Sequence, residues 1–292
     1  MNRLEIKRWE GRSFFRVLIL AAVIGLITAC ATVPLTGRSQ LNLLSDAQLF
    51  RMSLDSYREI LSKSKLSPDQ AKVAMVRGVG QRIARAAEDF LRENGLEHEI
   101  AKYQWEFNLI EDDKTINAWC MPGGKIAVYT GILPITKDET GLAVVMGHEV
   151  AHALAKHGNE RMSQALLIQM GGIALAVALA EKPQQTRELY LAAFGAGATV
   201  GILLPYSRQH EYEADRIGLT IMAKAGYDPR AAVGLWERMN EASKGKRPPE
   251  FLSTHPAPES RIEYIKEFIP EAMEYYRAGL NQPARQRVAW HD

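Results

Sequence analysis

The sequence predicts an α+β chain, mostly helical with one small β-sheet, and three observations carry that reading. Capped stretches with helical apolar spacing fill most of its length. Two short alternating runs, YQWEFNLI (103–110) and KIAVYTG (125–131), lie close together in the first half, and an Ala-rich apolar helix broken by ionisable residues follows them. A composition 47% hydrophobic and 24% charged suits a sizeable core and excludes a disordered chain. The 36 basic and 34 acidic residues are spread along the chain and leave a net charge of +2, so no nucleic-acid partner is expected.

The elements follow in order. MNRLEIKRWEGRSFFR is basic, and VLILAAVIGLITA behind it falls short of the roughly 20 apolar residues a membrane span requires. Residues 1–29 therefore read as a signal peptide. Small residues lead up to Cys30, which reads as the lipidated N-terminus of a bacterial lipoprotein rather than an incidental cysteine in an uncleaved anchor. Ala31, not Asp, follows Cys30, which points to the periplasmic side of the outer membrane. Cys120 is then a lone thiol, expected to be buried.

ATVPLTGRSQ reads as a tether, and Ser45-Asp46 opens a first cover helix. A second helix starts at Ser67-Pro68-Asp69 and runs to Gly95. The two strands come next, KIAVYTG introduced by Pro122-Gly123-Gly124, with TINAWCM between them as a turn or short strand. A helix over 138–157 begins at Asp138-Glu139 and stops at Gly158. Two apolar runs joined by EKPQQTRE form a helical hairpin over 162–206, a membrane hairpin being the other reading of their length. A polar helix over 207–226, a helix in AAVGLWERMNEA, a loop, and a last helix in PESRIEYIKEFI complete the chain before a tail.

The chemistry is concentrated in VVMGHEVAHALAKH (144–157). At 100° per residue His148 and His152 lie about 40° apart on a helix and share an apolar stripe, so both rings face the core. Buried imidazoles on successive turns suit two bonds to one Zn²⁺, while Glu149 is offset enough to reach a water without being a ligand. A His-Glu-x-x-His string arises by chance in about one chain in a hundred, so a further ligand is needed. The carboxylates downstream are Glu160, Glu181, Glu188, Glu211 and Glu213. The first three are expected to face solvent. In SRQHEYEADRIGL, Glu211, Ala214, Asp215 and Gly218 share a face that pairs two carboxylates with two small residues permitting close helix approach, and Glu213 points the other way. One of these two carboxylates can bind the metal and the other can hold a ligand imidazole. His157 lies about 140° from His152 on a continuous helix and is excluded from the same metal. His255, on a Pro-bounded loop, is a candidate fourth ligand or oxyanion stabiliser, against a role in loop packing.

GHEVAH, the later EYEAD, and NAWCMPGGKIAVYTGIL ahead of both resemble metallopeptidase family 48, the gluzincins related to HtpX and the CAAX prenyl endopeptidases. With SRQHEYEADRIG, THPAPESRI and the lipoprotein signal, the likeness is to the family's periplasmic lipoprotein members and covers roughly residues 35–270. It implies a zincin-like α+β metalloprotease fold, mostly helical, with a small β-sheet whose edge strand borders the active-site cleft. It implies one zinc per chain held by His148, His152 and Glu211, Glu149 as general base, and Asp215 behind a ligand. Gly124, Lys125, Ile126, Ala127 and Val128 are expected to form the edge strand that pairs with an extended polypeptide substrate, an interior strand being the other reading. The organisation expected is a signal peptide over 1–29, a lipid tether and cover helix over 30–66, a metalloprotease domain over 67–270 with the hairpin inserted, and a tail over 271–292. The function expected is a zinc endopeptidase acting on unfolded or misassembled envelope proteins, held at the membrane by lipid on Cys30. The alternative is a zinc-binding assembly or chaperone-like factor without proteolytic activity.

Overall fold

The computed structural model describes residues 30–244, 249–255 and 259–280. The signal-like run 1–29 and the tail 281–292 lie outside the described residues. In chain order the elements are β1 (Cys30–Thr32), β2 (Ser39–Leu41), α1 (Asp46–Lys63), α2 (Gln70–Glu93), α3 (Glu97–Ile100), β3 (Glu106–Ile110), β4 (Ala118–Met121) and β5 (Lys125–Tyr129). They continue with α4 (Leu133–Thr136), α5 (Glu139–Leu154), α6 (His157–Ala178), α7 (Gln184–Ala198), α8 (Leu204–Lys224), α9 (Ala231–Ser243), α10 (Glu250–Thr254) and α11 (Glu259–Leu280).

α5 is the axis of the molecule. Leu142, Ala143, Val145, Met146, Val150 and Ala151 leave it almost no polar face, and a helix apolar all round has to be enclosed. It is enclosed by α2, α8, α9 and β4. Asp138 starts it, its side chain accepting from the Gly141 amide at 2.9 Å. α2 packs Val76, Val79, Ile83, Ala87 and Phe90 at helical spacing against α5 and β3. Its cap is Asp69, which accepts from the Lys72 amide at 3.1 Å. Ser67 is instead pinned to the sheet, its amide donating to the Leu109 carbonyl at 2.9 Å, so the helix begins two residues later than the Ser-Pro signal suggests.

The three-stranded sheet has the order β3-β5-β4, β5 running parallel to β3 and antiparallel to β4. KIAVYTG is therefore the central strand, which corrects the expectation that Gly124–Val128 form an exposed edge. The cause is the turn before it. Gly123 and Gly124 both take positive φ, 89° and 81°, which folds β4 back onto β5 as a hairpin, while β3 takes the other side. Ile126, Ala127 and Val128 are wholly buried as a result. The edge strand beside the active helix is β4, which packs on α5.

Close approach of α5 and α8 depends on two glycines. A Cβ at Gly147 would stand 2.9 Å from the Gly218 carbonyl oxygen, and one at Gly218 would stand 2.9 Å from the His148 amide nitrogen. Both obstacles are backbone, so they cannot rotate away.

Three further features differ from expectation. The helix expected to reach His157 ends at Leu154, because Lys156 adopts a left-handed conformation, φ 55°, and reverses the chain into α6. Lys156 is held there by Asp46 and Glu99, each 3.1 Å away. The last helix does not stop near 270 but continues through Pro270 to Leu280, where Ala272 is buried and Glu271 holds Arg216 at 3.1 Å. The expected tether is folded. β1 and β2 pair as a short antiparallel ribbon, and this N-terminal strap buries Val33 and Gln40.

α6 and α7 form the expected hairpin, Phe194 filling the space a side chain at Gly171 would take. Met170, Ile173, Val177 and Leu189 are exposed on it. α6 is long and apolar enough by length and composition to cross a membrane, with 11% of its apolar window buried.

The glycine contact makes a testable prediction. Gly218→Ala should force α8 away from α5, lowering stability by about 1–3 kcal/mol through overpacking and also reducing metal content. Thermal unfolding and elemental analysis of the purified variant check both.

Candidate metal centre

His148 and His152 leave α5 on successive turns of its inner face, and Glu211 meets them from the facing side of α8. His255 closes the group from the end of α10, where its amide bonds the Phe251 carbonyl at 2.8 Å and its ring stacks on Phe251. The distances among the donor atoms fall in one narrow range. His148 Nε2 is 3.1 Å from His152 Nε2 and 3.2 Å from His255 Nδ1. Glu211 Oε2 is 3.3 Å from His148 Nε2 and 3.1 Å from His255 Nδ1, and Glu211 Oε1 is 3.3 Å from His152 Nε2. Zinc bonds of 2.0–2.1 Å in tetrahedral geometry place donors about 3.3 Å apart. All four residues are buried, and together they could hold one metal ion.

The donor chemistry agrees. Three ring nitrogens and a carboxylate converge there, a donor set of the kind zinc takes. Burial pushes His152 well below its usual range, while hydrogen bonds to Asp215 and Glu211 outweigh burial and the Arg261 charge and hold its neighbour His148 at about 9. Burial alone would raise Glu211, but His152, His148 and His255 hold it well below the ordinary carboxylate range, so the pocket contains an anionic ligand.

Behind His148 stands Asp215, whose Oδ1 is 2.9 Å from His148 Nδ1. Arg261, fully buried, donates to both Asp215 oxygens at 2.7 and 2.8 Å and lies 3.6 Å over the Trp236 ring. Asp215 is thereby fixed as an anion despite burial. This is the expected place for it, since a carboxylate on the far nitrogen sets the tautomer that leaves Nε2 free to bind metal. Glu149 is 4% exposed, and its Oε1 has no hydrogen-bond partner although it lies 3.3 Å from His255 Nε2. A buried carboxylate oxygen left unpaired beside a donor cluster is suited to a transient partner.

One expectation fails. Glu160 is 1% exposed rather than solvent-facing, and Glu213, though it points away from the cluster, is only 5% exposed. His157, displaced by the break after Leu154, brings its Nδ1 to 2.8 Å from His152 Nδ1. Glu160 and Glu213 both bind Arg38 of the strap, at 2.7 and 2.8 Å. Arg261 was visible only as part of the THPAPESRI stretch, and Arg38 carried no signal because nothing in a Pro/Gly-containing segment marks an arginine as buried. Cys120 is half-buried and free, and burial together with the Glu149 charge pushes its thiol up.

Fold and site together define a metal-dependent hydrolase built around a buried two-histidine helix. The model of peptidase family M48 matches residues 79–269, and the chain belongs to that family. It is 35% identical over 262 residues to the mitochondrial metalloendopeptidase OMA1 of Schizosaccharomyces pombe, covering 88% of this chain and 72% of that one. It is 31% identical to the OMA1 of Saccharomyces cerevisiae, with coverage of 91% and 77%. The beta-barrel assembly-enhancing protease of Escherichia coli K12 is 28% identical, covering 86% of this chain and 51% of its own length. The protein is a zinc metalloendopeptidase.

The carboxylates around Arg38 predict acid lability. Burial raises Glu160 and Glu213, but hydrogen bonds from Arg38, from His210 to Glu160 and from His157 to Glu213 outweigh it, holding both at about 2 against an ordinary 4.5. Their contribution is therefore complete above about pH 4.5 and is lost as pH falls through about 2. Melting temperature followed from about pH 5 to about pH 2 should drop more steeply for the wild type than for Glu160→Gln.

Proposed function

We propose that this endopeptidase cleaves unfolded or misassembled polypeptides of the bacterial envelope, with His148, His152 and Glu211 holding one zinc and Glu149 as general base. The observation that carries the reading is the four-donor cluster with the unpaired Glu149 oxygen beside it. Zinc, when bound, supplies a Lewis acid that polarises a scissile carbonyl and acidifies water toward a pKa of about 7. Glu149 Oε1 takes the proton of the attacking water and returns it to the leaving amine. Asp215, clamped by Arg261, keeps the proton of His148 on Nδ1.

Substrate recognition falls to β4. Among the described residues Ala118–Met121 pair only with β5, and the strand lies against α5, so its outer edge is placed to accept an extended chain by main-chain hydrogen bonds. Recognition of main chain suits unfolded substrates of varied sequence. Support for an envelope address comes from the basic and apolar run before Cys30 and from the relative named a beta-barrel assembly-enhancing protease. Lipid on Cys30, with Ala31 after it, would hold the enzyme at the periplasmic face of the outer membrane.

Between the two roles expected of His255, the geometry favours the fourth ligand, since its Nδ1 stands among the donors. Four protein donors fill a tetrahedral shell, whereas catalysis needs one position for water. His255 would then compete with water for that position.

Two measurements check this reading. Glu149→Gln should retain zinc and lose casein cleavage by about 10²–10⁴-fold, and a chelator should abolish cleavage by the wild type. A wild type that binds zinc but cleaves nothing under any condition would favour the assembly-factor alternative. His255→Ala should keep its zinc and cleave unfolded substrate faster. Unchanged zinc content and unchanged rate in that variant would remove His255 from the site.

A further inference from the structure

The two histidines of α5 are supported in different ways. His148 rests directly on a carboxylate, Asp215, which rests on Arg261. The Nδ1 of His152 faces another imidazole, His157 Nδ1, at 2.8 Å. One of these two nitrogens must carry the proton and the other accept it. If His152 Nε2 gives its lone pair to zinc, its proton is on Nδ1 and is donated to His157, whose own proton is then on Nε2. That nitrogen lies 3.1 Å from Glu213 Oε2 and donates to it.

The direction of the chain of hydrogen bonds therefore depends on Glu213 being held in place as the acceptor of the His157 proton. Two residues of the strap hold it. Thr36 Oγ1 donates to Oε1 at 3.0 Å, and Arg38 donates from Nε to Oε1 at 2.8 Å and from Nη2 to Oε2 at 2.9 Å. The same guanidinium grips Glu160 through Nη1 and Nη2 at 2.8 and 2.7 Å. Glu160 accepts from His210 Nε2 at 2.8 Å, and the His210 ring stacks on His157 at 4.3 Å. One planar fork thus joins two buried carboxylates on different helices and locks both faces of the environment of His157, a task a lysine point charge cannot reproduce. Thr36 and Arg38 lie outside residues 79–269 matched by the family model.

We propose that Arg38, assisted by Thr36, is a positioning residue for the zinc ligand His152, acting through Glu213 and His157. The N-terminal strap is then part of the metal centre rather than a spacer between membrane and enzyme. The proposal rests on the reading of His152 as a ligand.

The test uses the full chain and measures zinc affinity by chelator competition, the visible spectrum of the cobalt(II)-substituted protein, kcat and KM on casein, and thermal unfolding. Arg38→Met should weaken zinc binding about 10–100-fold, shift the cobalt bands and lower kcat with little change in KM. Arg38→Lys should recover only part of the loss. Ile83→Ala, a core variant on α2 that removes no hydrogen bond of the network, serves as the control for simple destabilisation. It should melt lower and keep the wild-type cobalt spectrum and zinc affinity. Should Arg38→Met not fold, Thr36→Val removes a single hydrogen bond and should move zinc affinity the same way by less. His152→Ala separates the two levels of the argument. If it binds zinc like the wild type, the ligand assignment fails. If it loses zinc while the Arg38 and Thr36 variants keep wild-type affinity and spectrum, or change them no more than Ile83→Ala does, the positioning proposal alone is overturned.

Discussion

Contact between α5 and α8 at Gly147 and Gly218 is the constraint on which the rest of the molecule depends. Each glycine lies where a single carbon would meet the other helix's backbone at 2.9 Å. Only at that spacing can the short carboxylate arms of α8 reach the imidazoles of α5. Glu211 meets the inward nitrogens of His148 and His152, and Asp215, one turn on, meets the outward nitrogen of His148. The other elements serve this contact. α2 and the sheet close the remaining sides of α5, and α11 brings Arg261 over Trp236 to anchor Asp215.

The interior is accordingly an electrostatic design as much as an apolar one. Buried charges are tolerated only when paired and hydrogen-bonded, and here Asp215, Glu211, Glu160 and Glu213 each have an arginine. Arg261 serves Asp215 and Glu211, while Arg38 serves Glu160 and Glu213. The two arginines enter from opposite ends of the chain, one from the strap and one from the last helix. Together they fix the carboxylates around the histidine cluster, Arg261 from within reach of Glu211 at 3.1 Å and Arg38 from behind His157.

Much of the metal centre was legible in the sequence because helical periodicity is local. His148 and His152 four residues apart, and Glu211 and Asp215 four residues apart, must share faces whatever surrounds them. Ala214 and Gly218 between and beyond the carboxylates signalled a close approach for the same reason. Central placement of KIAVYTG was not legible, since strand order is decided by partners far away in the chain and an alternating run reads alike at an edge and in the middle. The burial of Glu160 and the place of His157 behind His152 were not legible for another reason. Their surroundings follow from one left-handed residue, Lys156, whose conformation is held by Asp46 and Glu99 from distant segments.

By itself the sequence determined the class of chemistry: two imidazoles and a carboxylate pair on apolar helices, at spacings that leave a metal as their natural partner. It also determined the helical character of the chain, since capping and periodicity act over a few residues. Tertiary structure alone decided that β5 lies between β3 and β4, that His255 joins the donors, and that an arginine from the N-terminal strap stands behind His152. Each of these depends on where one segment comes to rest against another remote in the chain, and local propensity carries no information about such distances.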